Sequence, residues 1–200
     1  GYFPVSGGHE LYHVVHGNPD GIPLVFLHGG PGAGCTHYTK SLADPLKYKI
    51  VFYDQRGAGK SRPYASIENN NTWLLVQDQR NLLQYLGIER AVLLGGSWGS
   101  TLGLAYAIQY PETVAGLILR GIWLGTNFEN IFMYQGGAAS FFPEAYERYI
   151  SYVPRDYRAY PLRYYYDVLR STDPTQAEFR KTLAYELMRY EMAMTRHEPL

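Results

Sequence analysis

The feature that most constrains this chain is Ala91-Val92-Leu93-Leu94-Gly95-Gly96-Ser97-Trp98-Gly99-Ser100. A short apolar run ends in Gly-x-Ser-x-Gly, and an apolar-periodic segment follows from Thr101. This is a strand, a tight turn and a helix, the context in which the five-residue pattern carries chemistry. The turn forces Ser97 into a strained backbone conformation, and Gly95 and Gly99 are small because strand and helix pass almost in contact. The strain holds the Ser97 hydroxyl out above the sheet edge. It also aims the Trp98 amide, at the helix start, toward whatever Ser97 attacks. The competing reading is a glycine-rich βα turn with an incidental serine, and the strand–turn–helix context makes it the weaker of the two.

Upstream, Pro23 to Leu27 is a continuous apolar run of the kind found in buried parallel strands. It ends in His28-Gly29-Gly30-Pro31-Gly32-Ala33-Gly34. These glycines match neither Gly-x-Gly-x-x-Gly nor a P-loop, and no Lys-Ser/Thr follows, so phosphate binding is a poor fit. A loop that donates a backbone amide to an oxyanion fits better, with Gly30 as the donor. His28 precedes Ser97 and sits inside the loop, so it is expected to brace the loop rather than act as the base. The next strand, Lys49 to Tyr53, runs into Asp54-Gln55-Arg56-Gly57-Ala58-Gly59-Lys60-Ser61. Asp54 and Arg56 are expected to pair and hold that loop in shape.

The remaining elements follow from pattern. Residues 1–20 read as an edge hairpin turning at Gly7-Gly8. Tyr38 to Leu46 reads as a short helix. Asn69-Asn70-Asn71-Thr72 caps an amphipathic helix, Trp73 to Leu86, that stops at Gly87. A helix from about Trp98 to Tyr110 stops at Pro111, and Val114 to Leu119 is a further strand. The alternation predicts an α/β fold, a mostly parallel sheet with right-handed crossovers and helices on both faces. It stops at Trp123, giving residues 1–123 as a core domain and 124–200 as a helical cap broken at Pro143, Pro154, Pro161 and Pro174. The cap's tyrosines, among them Tyr146, Tyr149, Tyr152 and Tyr164-Tyr165-Tyr166, are expected to lie on half-wet helix faces. Phe179, Leu183, Leu187, Tyr190 and Met194 form one stripe, with Glu186 and Glu191 on its two margins. A carboxylate there is ordinarily solvated, but on a helix facing an active site it is a candidate for binding a cation.

Bulk properties narrow the partners. The formal net charge is zero and no basic run occurs, which argues against nucleic acid. No apolar run approaches membrane-spanning length. The single cysteine, Cys35, allows no internal disulfide and suits a reducing, cytoplasmic compartment. No metal or cofactor is expected.

Taken together, His28-Gly29-Gly30-Pro31-Gly32, Asp54-Gln55-Arg56-Gly57-Ala58-Gly59-Lys60-Ser61, Asn71-Thr72-Trp73, Gly95-Gly96-Ser97-Trp98-Gly99-Ser100, Leu119-Arg120-Gly121-Ile122 and Tyr134-Gln135-Gly136-Gly137-Ala138 resemble the proline iminopeptidase (prolyl aminopeptidase) family. That family is a serine-peptidase branch of the α/β hydrolases. The resemblance implies Ser97 as nucleophile and the Gly30 and Trp98 amides as the oxyanion hole. It implies a peptide substrate with an N-terminal proline, whose cationic imino nitrogen is held by acidic residues, Glu191 among them. Trp123 and Tyr134 would line the proline pocket, with Gly29 also touching substrate. Tyr190 stands where an indole is common in the family, and Phe132-Met133-Tyr134 is less aromatic than the usual run. Both bear on the fit of the pocket.

In this fold the triad runs Ser, Asp, His, the last two following later strands. After Ser97 the aspartates are Asp156, Asp167 and Asp173 and the histidine is His197, all within the expected cap. The expectation is therefore that these residues are the N-terminal part of a larger enzyme. Its Asp and His would lie beyond Leu200, on a continuation, on a separate chain or on a segment cut away. The strand left outermost would then be an exposed, aggregation-prone edge. Two other readings share the scaffold: an esterase or lactonase, and a catalytically incomplete fragment that only binds.

Overall fold

In the computed structural model, which describes residues 1–195, Tyr2–Val5 (β1) and His9–Gly17 (β2) form an antiparallel hairpin at one end of a six-stranded sheet. Ile22–Leu27 (β3), Tyr48–Tyr53 (β4), Ala91–Gly96 (β5) and Val114–Arg120 (β6) complete it, in the order β1-β2-β4-β3-β5-β6. β2 joins β4 antiparallel, and β4, β3, β5 and β6 are mutually parallel. The register sets Val25 beside Val51 and Leu93, so apolar runs that alternate poorly in sequence are central strands buried on both faces.

Two helices pack on one face. Thr72–Tyr85 (α1) begins one residue before its expected start, capped by the Asn71 side chain accepting from the Leu74 N–H. Trp98–Gln109 (α2) follows the elbow and ends before Pro111. Leu75, Leu82, Leu83 and Leu102 from these helices meet Leu11, Val25, Val51 and Leu93 from the sheet. On the other face Leu24, Phe26, Ile50, Phe52 and Leu94 pack with Leu42 and Ala43. There the sequence suggests a helix over Tyr38–Leu46, but a 3-10 turn over His37–Leu42 is found instead. Pro45 keeps it from running on to Leu46: it disfavours helical backbone at Asp44, and Ala43 is already extended. β6 is the outermost strand, and its Leu117 and Ile118 are exposed.

The chain divides into two compact units, Gly1–Leu124 and Gly125–Leu200. The second is helical in its described residues: Asn127–Tyr134 (α3), Pro143–Ser151 (α4), Pro161–Leu169 (α5) and Ala177–Thr195 (α6). Thr126 and Glu129 make a reciprocal capping box at the start of α3. The four prolines that punctuate this half open elements rather than interrupting them. Pro143 and Pro161 begin α4 and α5, where a missing N–H costs nothing. Pro154 and Pro174 introduce 3-10 turns.

Tyr146, Tyr152 and Tyr164 are half-buried, as their spacing predicts, but two tyrosines depart from expectation. Tyr149 and Tyr165 are fully buried, and Tyr149 stacks between Tyr165, at 4.8 Å, and Tyr190, at 4.6 Å. With few aliphatic side chains to fill this unit, stacked rings supply its core. Of the α6 stripe, Leu183 and Tyr190 are buried while Phe179 is exposed. Glu186 is not solvated on its margin. It is buried and accepts a two-pronged pair of bonds from Arg148, at 2.7 and 2.9 Å. No helix among the described residues is long and apolar enough to cross a membrane.

Candidate active site

β5 ends at Gly96 and α2 begins at Trp98, leaving Ser97 alone in the turn with φ 53° and ψ −124°. Such a conformation is strained for a residue with a Cβ. It is held by neighbours on both sides. The Ser97 N–H donates to the Arg120 carbonyl of β6 (3.1 Å), and its carbonyl accepts from the Ser100 N–H (2.8 Å) and Ser100 Oγ (2.6 Å). The glycines are required by contact: a Cβ on Gly99 would lie 2.1 Å from the Leu27 carbonyl oxygen, and one on Gly95 2.3 Å from that of Gly99. Ser97 itself is exposed. Trp98 is the first helical residue, so its N–H has no carbonyl within α2 to bond and faces outward from the positive end of the helix.

The loop after β3 meets this elbow. A Cβ on Gly29 would lie 3.1 Å from the Gly96 carbonyl oxygen and 3.3 Å from Ser97 Cβ, so the loop and Ser97 leave scarcely enough room for a methyl group between them. Gly30 has φ +112°, open to glycine and hostile to other residues, and a Cβ there would collide with the Gly32 N at 2.5 Å. His28 is buried beneath the loop. Its Nε2 faces the Gln55 N–H at 3.0 Å, and a backbone N–H can only donate, so Nε2 accepts. Burial lowers the His28 pKa and keeps the ring neutral, which places its proton on Nδ1, 2.9 Å from the Gly29 carbonyl. The Gly34 N–H lies farther from the same Nδ1, at 3.2 Å, and cannot bond a protonated nitrogen. His28 is therefore an internal brace, bonded on both nitrogens.

Asp54 and Arg56 do not pair with each other. β4 ends at Tyr53 and the chain turns at Arg56, so each finds its own partner. Asp54 accepts from the Cys35 N–H (2.6 Å) and the Lys60 N–H (2.8 Å), tying its loop to the one after β3. Arg56 reaches Asp78 on α1 through Nε (2.6 Å) and a terminal nitrogen (2.7 Å), and also bonds the Asn69 carbonyl and Ser6 Oγ. Gln55, between them, bonds His28 and Trp98. No role for it was legible in the motif; the only signal was a third polar residue in a run leaving a buried strand.

Trp123 is fixed to the start of α2. Its N–H donates to Ser100 Oγ (3.0 Å), and its carbonyl accepts from the Thr101 hydroxyl. Its ring lies 6.3 Å from that of Trp98, and its indole nitrogen is buried without a partner. In the helical unit, Tyr134 donates to Glu191 Oε1 at 2.7 Å, and Tyr190 donates to the Met133 carbonyl. Burial, then the Glu191 charge, pushes the Tyr134 phenol far above its ordinary range. Thus Ser97, Trp98, Gly29, Gly30 and Trp123 belong to the sheet unit, and Tyr134 and Glu191 meet within the helical unit.

Among the described side chains of the sheet unit, no histidine or carboxylate hydrogen-bonds the Ser97 hydroxyl. Of the later aspartates, Asp167 pairs with Arg163 (2.8 Å) and Asp173 caps the turn at Thr175 (2.9 Å). Asp156 sits in a 3-10 turn, and His197 lies outside the described residues. A cavity of about 340 Å³ lined by Tyr12, Cys35, Thr39, Phe52, Asp54 and Lys60 does not include Ser97. Burial pushes the Cys35 thiol there up to about 12, so it is no nucleophile.

A parallel sheet with a strained Gly-x-Ser-x-Gly turn between β5 and α2 is the architecture of a serine hydrolase. The family described as the α/β hydrolase fold matches residues 22–185, and the chain belongs to it. More narrowly, it is similar to proline iminopeptidases. It is 47% identical over 184 residues to a probable proline iminopeptidase of Leptolyngbya boryana, covering 92% of this chain and 56% of that one. It is 50% identical over 154 residues to a proline iminopeptidase of Xylella fastidiosa, covering 77% and 49%. The chain thus spans about half the length of these curated relatives. Among solved structures, a proline iminopeptidase from Mycobacterium smegmatis superposes with a TM-score of 0.59 at 25% identity, over 94% of this chain and 68% of the other. A proline iminopeptidase-related protein from Thermus thermophilus superposes with a TM-score of 0.60 at 28% identity, over 92% and 65%.

Proposed function

We propose that this chain carries the nucleophile and substrate-recognition half of a serine-type prolyl aminopeptidase, an enzyme releasing N-terminal proline from peptides. The observation that carries the reading is the strained, exposed Ser97 against Gly29, in a chain this similar to proteins named for that activity. Ser97 Oγ attacks the carbonyl carbon of the N-terminal proline. The Trp98 and Gly30 amides receive the oxyanion. The Ser97 proton passes to a base and then to the departing amine as the C–N bond breaks, leaving a prolyl ester on Ser97. Water, deprotonated by the same base, hydrolyses the ester and frees proline. The reading expects that base to be a histidine oriented by an aspartate, and no described side chain of the sheet unit takes either role. Without it Ser97 is an ordinary hydroxyl.

The same reading assigns Glu191 to the substrate's cationic imino nitrogen, positioned by Tyr134, and Trp123 and Tyr134 to the walls around the proline ring. The helical unit then supplies the negative charge an exopeptidase needs for a substrate terminus. The partner is a peptide with a free N-terminal proline, with neither nucleic acid nor membrane involved. The cytoplasm is the proposed compartment, supported by the lone Cys35.

The test is made on the complete protein with three substrates: proline arylamide, acetyl-proline arylamide and a simple ester. Proline arylamide should turn over, the blocked substrate should not, and Ser97→Ala should lower the rate by about 10⁴-fold or more. Equal turnover of the blocked arylamide would defeat the exopeptidase reading. Faster ester than amide cleavage, indifferent to Glu191→Gln, would favour an esterase on the same fold.

A further inference from the structure

Gln55 links the loop after β3 to the residue that follows Ser97. It follows β4, is buried to 2% exposure, and makes three directed bonds. Its backbone N–H donates to His28 Nε2 at 3.0 Å. Its side-chain amide nitrogen donates to the His28 carbonyl at 3.0 Å, and its side-chain oxygen accepts from the Trp98 indole N–H at 2.9 Å. The orientation of the carboxamide is not interchangeable, because an indole N–H only donates and a peptide carbonyl only accepts. His28 immediately precedes Gly29-Gly30, and Trp98 immediately follows Ser97. One side chain therefore spans the loop that carries one proposed oxyanion donor and the residue that carries the other.

We propose that Gln55 is a positioning residue for the oxyanion hole, setting the separation of the Gly30 and Trp98 amides through the His28 carbonyl and the Trp98 indole. The inference rests on the serine-hydrolase part of the reading above but not on its preference for proline. Loop and elbow approach closely at glycines, a packing that resists further approach but not separation. The Gln55 carboxamide resists separation. A shift of either amide weakens its bond to the developing oxyanion and leaves ground-state binding nearly untouched.

The experiment uses the complete protein and probes that need no proline recognition: the rate of Ser97 labelling by a fluorophosphonate, and kcat and KM for p-nitrophenyl acetate. In Gln55→Leu both the labelling rate and kcat should fall by about 10- to 100-fold, with KM changed less than about twofold. A residue that only stabilises the fold would lower the melting temperature and leave labelling and kcat unchanged well below it; that result overturns the inference. Should Gln55→Leu fail to fold, Gln55→Glu replaces it. That variant keeps an acceptor for Trp98 but loses the donor to His28, and it should show the same loss confined to kcat; unchanged labelling overturns the inference. Ester turnover in the unsubstituted protein without turnover of proline arylamide would defeat the proline reading alone. An unreactive Ser97 there would remove the hydrolase reading and this inference with it.

Discussion

The Tyr134 hydroxyl donates to Glu191 Oε1 at 2.7 Å, joining the end of α3 to the penultimate turn of α6 across 57 positions of sequence. The phenol stays protonated because burial and the neighbouring carboxylate both oppose its ionisation. One carboxylate oxygen is thereby fixed, and on the proposed function the carboxylate receives the substrate's cationic nitrogen. Tyr134→Phe should keep the ring in its aromatic core and release the carboxylate. On the proposed function, KM for proline arylamide should rise by about 3- to 10-fold with little change in kcat. Glu191→Gln keeps an oxygen for Tyr134 but removes the charge, and kcat/KM should fall by about 10- to 100-fold. Steady-state kinetics on the two variants checks the order of these effects.

Two glycines that look alike in sequence should fail differently. Gly99→Ala places a methyl 2.1 Å from the Leu27 carbonyl oxygen, backbone against backbone, and must push α2 off the end of β3. The loss should be about 3 kcal/mol or more, read by chemical denaturation. Gly29→Ala meets its nearest atoms at 3.1 and 3.3 Å, tight but survivable. It should unfold near the parent temperature while slowing fluorophosphonate labelling of Ser97.

The Arg56–Asp78 pair is buried at both ends, with side-chain exposures of 0% and 2%. Arg56→Met leaves the Asp78 carboxylate buried without its cation and should cost about 3–5 kcal/mol. Replacing both, as Arg56→Met with Asp78→Leu, should cost less than the single change, because the uncompensated charge is gone. Urea denaturation of the single and double variants measures the difference.

Acid should loosen the helical unit through Glu186. Bonds from Arg148 hold its carboxyl below the ordinary value of 4.5. The folded value lies under the unfolded one, so the contribution is fully present above about 4.5 and is lost as pH falls through the folded value. The melting temperature should therefore drop on acidification below that point, and Glu186→Gln should remove that part of the drop.

Much of the site could be read from local pattern. The elbow, the glycine loop after β3 and the N-cap at Asn71 are set by contacts within a few residues, where steric rules leave few choices. The partners of Asp54, Arg56 and Glu186 were not legible, because each lies on another element brought close by folding. Arg56 meets Asp78 on α1 rather than its neighbour Asp54, and Glu186 meets Arg148 on α4 rather than water. The tyrosines show the same division. Their spacing predicted helix faces, but only packing decided that Tyr149 would lie between Tyr165 and Tyr190 with its ring out of water.

By itself, then, the sequence determined the alternation of strands and helices and marked Ser97 as the candidate nucleophile, because a Gly-x-Ser-x-Gly turn between strand and helix admits one backbone path. The tertiary structure decided how that path is held. The Gln55 carboxamide between His28 and Trp98, and the Tyr134 hydroxyl on Glu191, join elements far apart in the chain. Hydrogen bonds of that reach depend on distance and direction in the folded molecule, which residue type and spacing do not encode.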